Sequence, residues 1–192
     1  IQIGEIGLSH AEEIETYEYR EYWDDLSGEK LNPELVRTAR QEEVGQIAQH
    51  EVYDKVPEEE CWNTTGKAPI DTRWVDVNKG DKVNPDYRSR FVAKDIKRDK
   101  REDLFAATPP LEAKKMLFSA AVTRGIGIQG KKSMKIDFID VRRAYFHAKA
   151  QREVYIELPE EDAEEGMCGL LKKSMYRTRD AAQNWEVEYT KL

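Results

Sequence analysis

The stretch Lys135 to Ala148, KIDFIDVRRAYFHA, gathers the residue types best suited to chemistry in this chain. Asp137 and Asp140 stand three residues apart, so on an extended strand they point to opposite faces. A carboxylate at a strand end, followed by the free backbone carbonyl of Val141, is half of an oxygen-ligand site for a hard cation such as Mg²⁺. One such carboxylate cannot assemble a two-metal centre. Tyr145 and Phe146 follow at once, and on their own they would serve as core aromatics. His147 has no identified partner and is not read as a base. A second set lies upstream in YRSRFVAK, where the period of two puts Arg88, Arg90, Val92 and Lys94 on one face. Cations spaced about 6 to 7 Å along a strand can follow a row of phosphates. They can equally pair with neighbouring acids, and alternation leaves open which of the three faces inward.

These groups need a scaffold. The chain has 192 residues, 39% apolar and 36% charged, which suits a globular domain with a polar surface. No apolar run is long enough to cross a bilayer, so no membrane is expected as a partner. Cys61 and Cys168 lie far apart with no C-x-x-C spacing, which argues against a zinc site or a disulfide framework. The chain opens on Ile1 without a secretory signal and reads as part of a longer intracellular protein, cytoplasmic or nuclear. Residues 1 to 30 carry a net −7, whereas residues 87 to 101 carry seven bases and two acids. A polyanion can therefore dock locally despite the acidic balance.

In chain order, residues 1–30 read as an acidic, helix-prone or disordered connector, and 31–51 as a lead-in helix opened by Asn32-Pro33. Val52 to Val56 suggests a short strand. Ile70 to Val77 and Tyr87 to Lys94 alternate and suggest an antiparallel hairpin. Thr108-Pro109-Pro110 opens an apolar helix expected in the core, ended at Arg124-Gly125. Lys135 to Asp140 reads as a central strand, Val154 to Leu158 as another, Pro159 to Gly166 as an acidic loop, and Leu170 to Tyr176 as strand or turn. Ala181, Trp185, Tyr189 and Leu192 give the last segment a helical face.

The form D-V-x-x-A-Y-F at Asp140 to Phe146 resembles the first catalytic motif of reverse transcriptases. With RWVDVNKGD, YRSRFVAKD, VYIELPEE and CGLLKKSMYRTRDAAQNWE, the blocks follow the order of copia-type LTR-retrotransposon polymerases. The resemblance covers roughly residues 50 to 192. It implies an α+β fold, part of a right-hand polymerase, with a fingers β-hairpin and an incomplete palm over residues 52–192. It also implies two-Mg²⁺ nucleotidyl transfer on an RNA or DNA template-primer with dNTP substrates, inside a polyprotein carrying an upstream integrase and a downstream RNase H. The motif register selects Asp140 over Asp137 as the first metal ligand, with the Val141 carbonyl beside it. Tyr145 would lie under the incoming sugar and exclude a 2′-hydroxyl, and Arg88, Arg90 or Lys94 would reach the triphosphate.

Three departures stand in S-M-Y-R-T-R-D-A-A, residues 174 to 182, where the family pattern is S-L-Y-G-L-K-Q-[AS]-P. Arg177 replaces a glycine, Asp180 a glutamine and Ala182 a proline, which argues against a nucleotide contact through residue 180. Downstream of the D-V-x-x-A-Y-F block, no [YF]-x-D-D turn occurs before Leu192, so this polypeptide is not expected to polymerise DNA unaided. An uncovered sheet edge and the Trp185 and Tyr189 face are expected to favour aggregation. The competing readings are a non-catalytic remnant that binds nucleic acid and a generic α+β interaction module.

Overall fold

A computed structural model describes residues 20–95, 110–129 and 132–191. Helix α1 (Pro33–Gln49) begins where the sequence says it should. The Asn32 side chain accepts from the Glu34 and Leu35 amides, and proline occupies the first turn. Its buried positions are Val36, Ala39, Glu43 and Ile47, a single stripe in which one member is charged.

Ahead of it, β1 (Tyr22–Trp23) and β2 (Lys30–Leu31) pair antiparallel. The expected connector over 1–30 therefore needs correction for residues 20–30; residues 1–19 lie outside the described set. Three features make the turn. Asp24 accepts from the amides of Leu26 (2.7 Å) and Ser27 (2.9 Å), and Gly28 takes the left-handed φ of 71°. The other Asp24 oxygen accepts from the Asn78 amide at 2.7 Å, docking this small hairpin on the next one.

Strands β4 (Thr72–Asn78) and β5 (Tyr87–Ala93) form the expected antiparallel hairpin, in register from Thr72 opposite Ala93 to Asn78 opposite Tyr87. Strand β3 (Tyr53–Pro57) runs into α2 (Glu58–Thr65), a helix the pattern did not announce. Its first turn is Glu58-Glu59-Glu60, acids that favour a helix N-terminus, and Gly66 closes it at φ 67°. Strands β8 (Tyr155–Ile156) and β9 (Met167–Leu171) complete a three-stranded sheet in the order β3-β9-β8. The acidic loop between them holds a 3-10 turn at Glu160–Asp162. Helix α4 (Ala181–Tyr189) follows a loop from β9.

Besides small clusters at Tyr22, Leu31 and Val36 and at Cys61, Tyr155 and Cys168, a main core joins several of these parts. Ile47 from α1, Phe91 and Ala93 from β5, Phe146, and Val154, Ile156, Leu171 and Met175 from the sheet and its flanks pack as one buried cluster. The architecture is α+β with antiparallel sheets.

Two expectations fail. Residues 135–141 are not a strand, and Phe138 and Ile139 are 79% and 86% exposed. A strand needs a neighbour for its N–H and C=O groups, and among the described residues none lies alongside. Helix α3 (Leu111–Val122) forms as expected but is not a core helix. Only Ala121 is buried, and Leu111, Met116, Leu117, Phe118 and Val122 are exposed. Among the described residues it is followed directly by β6 (Ile128–Gln129) and β7 (Lys132–Ser133), a two-stranded ribbon too small to cover the stripe. Among the described residues, no helix is long and apolar enough to cross a membrane.

Candidate functional site

The turn after Asp140 is built by the backbone. Arg143 adopts φ 50°, its carbonyl accepts from the Phe146 amide at 2.8 Å, and a 3-10 turn follows over Ala144–His147. That geometry drives Phe146 into the core, where it is 1% exposed, and leaves Tyr145 half-buried beside it. Both rings meet Tyr176, Phe146 at 5.3 Å and Tyr145 edge-on at 5.6 Å between centroids. Asp140 and Asp137 are exposed, and among the described residues neither carboxylate is engaged in a hydrogen bond or ion pair. His147 sits 5.0 Å from His50, whose imidazole is held below its usual pKa by burial and by the cations around it.

The three cations of β5 are not equivalent. Arg88 is bound by Asp86 at 2.9 Å, and Lys94 by Asp71 at 2.6 Å, a contact that holds the Asp71 carboxyl below the usual carboxylate range. Arg90 makes no ion pair within 4 Å among the described residues and instead lies over the Tyr176 ring, 5.5 Å from its centroid. Strand alternation could not separate the three; neighbouring acids and one ring do. Of the remaining bases in the +5 stretch, Lys97, Arg98, Lys100 and Arg101 lie outside the described residues.

Two residues of this region were not singled out in the sequence. Tyr176 joins Arg90 to Tyr145 and has its phenol pushed up by burial, then by the negative charge of Glu43. Glu43, 3% exposed on α1, accepts from Arg143 Nε at 3.0 Å. An acid at a core-facing position of an otherwise apolar stripe was the available signal.

The departures from the family pattern have structural counterparts. Arg177 occupies φ 64°, the left-handed region that favours glycine. Asp180 is 4% exposed and accepts from Arg152 at 2.7 Å and from Asn184 Nδ2 at 3.1 Å. Arg152 also reaches Asp95 at 3.1 Å. Burial raises the Asp180 carboxyl, but these donors outweigh it and the net shift is downward. Its oxygens are committed inside the protein.

No cluster of three or more His, Cys, Asp or Glu side chains able to hold a metal ion occurs among the described residues. Asp140 and the Val141 carbonyl would supply only part of a ligand set, and a two-metal centre does not fit these residues alone. No solved structure matches the chain. The Retrovirus-related Pol polyprotein from transposon TNT 1-94 of Nicotiana tabacum is 25% identical over 132 residues, covering 65% of this chain and 9% of that protein. The chain thus spans under a tenth of that relative's length. The family model described as Reverse transcriptase (RNA-dependent DNA polymerase) matches residues 52–192. With most of its length inside that match, in the block order of copia-type elements, the chain belongs to the reverse transcriptase family.

Proposed function

We propose that residues 52–192 are the fingers and the first part of the palm of a retrotransposon RNA-directed DNA polymerase, and that residues 20–51 brace them. The observation that carries this reading is the column Arg90, Tyr176, Tyr145, which sets an unpaired cation of the hairpin beside the ring of the D-V-x-x-A-Y-F turn. In this reading Arg90 meets the phosphates of the incoming nucleotide, and Tyr145 supports its sugar and excludes a 2′-hydroxyl by sterics. Arg88 and Lys94 stay with their acids. Asp140 and the carbonyl of Val141 are the metal-facing pair for Mg²⁺. RNA or DNA template-primer and dNTP are the substrates, in a polyprotein with integrase and RNase H parts.

The test is binding of a fluorescein-labelled DNA primer on an RNA template by the 192-residue chain. The expected result is an affinity that falls steeply with salt, as phosphate contacts require, and a further rise in anisotropy with dTTP and Mg²⁺. Absence of duplex binding at low salt overturns the reading. Incorporation of labelled dTTP by the same chain is expected to be absent.

One observation favours the non-catalytic remnant: Asp180 replaces an amide with a carboxylate that is sealed against Arg152. Loss of incorporation in a longer polypeptide that contains a [YF]-x-D-D turn would support it.

A further inference from the structure

Helix α1 lies before the segment matched by the family model, yet it reaches the motif turn directly. Glu43 is 3% exposed, and its Oε2 accepts from Arg143 Nε at 3.0 Å. Arg143 is a residue of the turn itself, held at φ 50°, and its carbonyl accepts from the Phe146 amide. A non-glycine residue persists in that conformation only where the surroundings over-determine it. The Phe146 side chain is fixed by the core, so the far end of Arg143 is the other point at which the turn can be held. Glu43 holds it from an element 100 residues away in sequence.

We infer that Glu43 is a positioning residue for the Asp140 turn, acting through Arg143 to fix the register in which Asp140 and Tyr145 are presented. This rests on the reading of Asp140 and Tyr145 as the metal-facing and sugar-facing groups. The second carboxylate oxygen, Oε1, is buried with no hydrogen-bond partner among the described residues. The acid is therefore not retained to satisfy a local donor network. Burial pushes its carboxyl up, and Arg143 and Arg90 oppose that shift.

The test uses the whole chain and two substitutions that leave the fold intact. Glu43→Met keeps the length, removes the acceptor and leaves no buried charge, and Arg143→Gly keeps a residue suited to φ 50°. Native-state hydrogen exchange is read at the Phe146 amide, bonded to the Arg143 carbonyl, and at the Leu171 amide, bonded to the Val154 carbonyl in the sheet. Each substitution is expected to speed exchange at Phe146 by roughly tenfold, the equivalent of one charge-assisted hydrogen bond, with Leu171 unchanged. The double variant is expected to be no faster than either single one, because both remove the same contact. Exchange at Phe146 within twofold of the parent, an equal rise at Leu171, or additive effects in the double variant each overturn the inference. None of these readings uses nucleotide, so they stand apart from the duplex-binding test, whose failure would overturn the functional reading instead.

Discussion

The guanidinium of Arg90 lies over the ring of Tyr176, 5.5 Å from its centroid, while Arg88, two residues earlier on the same strand, is held by Asp86. A cation on an aromatic face keeps its donors available at the ring's edge, whereas one bound to a carboxylate has spent them. Arg90→Ala is therefore expected to weaken binding of a primed RNA template by about tenfold at low salt and to lower the salt slope by about one. Arg88→Ala should change affinity by less than about threefold. Fluorescence anisotropy across a salt series measures both, and equal losses would remove the distinction.

Asp140 and Asp137 are alike in exposure and in lacking partners among the described residues, so only function can separate them. In a longer polypeptide that includes the paired-carboxylate turn, Asp140→Asn is expected to abolish primer extension, since a two-metal site loses a shared ligand. Asp137→Asn should leave it within about threefold. The opposite outcome in a gel-based extension assay would move the metal ligand to Asp137.

Arg177 is exposed and sits at φ 64°, so its side chain offers little to offset the backbone strain. Arg177→Gly is expected to stabilise the fold by about 0.5 to 1 kcal/mol, the left-handed penalty less the entropy of the added glycine. Thermal unfolding should rise by about 2 °C for a chain of this size. A fall in Tm would show that Arg177 makes a contribution greater than its strain.

Asp180 gives a pH dependence of definite sign. Its folded pKa lies below the ordinary 3.8, because Arg152 and Asn184 outweigh the effect of burial. Such a group contributes stability above pH 3.8 that is lost as pH falls through the lowered folded value. Asp180→Asn is expected to cost about 1 to 2 kcal/mol at pH 7, a buried-pair figure reduced because Arg152 is one-third exposed and keeps Asp95. The gap should close as the medium is acidified below pH 3.8. Urea unfolding of both proteins from pH 7 to pH 3 measures it, and a gap that widens in acid would contradict the assignment.

What the sequence disclosed follows local chemistry. Helix α1 was legible because a cap and a proline mark its start, and the β4-β5 hairpin because its alternation is closed by turn residues within the same stretch. Residues 135–140 also carry strand formers, but a strand is defined by its neighbour, and local sequence does not say whether one is present. Helix α3 has its apolar stripe for the same reason without a layer to bury it. No helix was expected at 58–65 although the acidic run at 58–60 is a favourable first turn, and Asp24 with Gly28 made a hairpin where a helix-prone or disordered connector was expected. At the candidate site, the motif pointed to Asp140 and Tyr145. Glu43 and Tyr176 emerged only from long-range packing, which one-dimensional patterns do not encode.

Helix α1 does more than pack. At Arg40 it binds Asp76 of β4 at 2.6 Å and lies over the rings of Tyr22 and Trp74. Three residues on, about 4.5 Å along its axis, Glu43 grips Arg143. One helical turn is thus a crossbar bolted to the hairpin on one side and to the motif loop on the other. The hairpin and the loop are thereby coupled through a single helical turn. Cutting the protein at residue 52, where the family resemblance starts, would remove the crossbar and leave the two parts joined only through the core around Phe91 and Phe146.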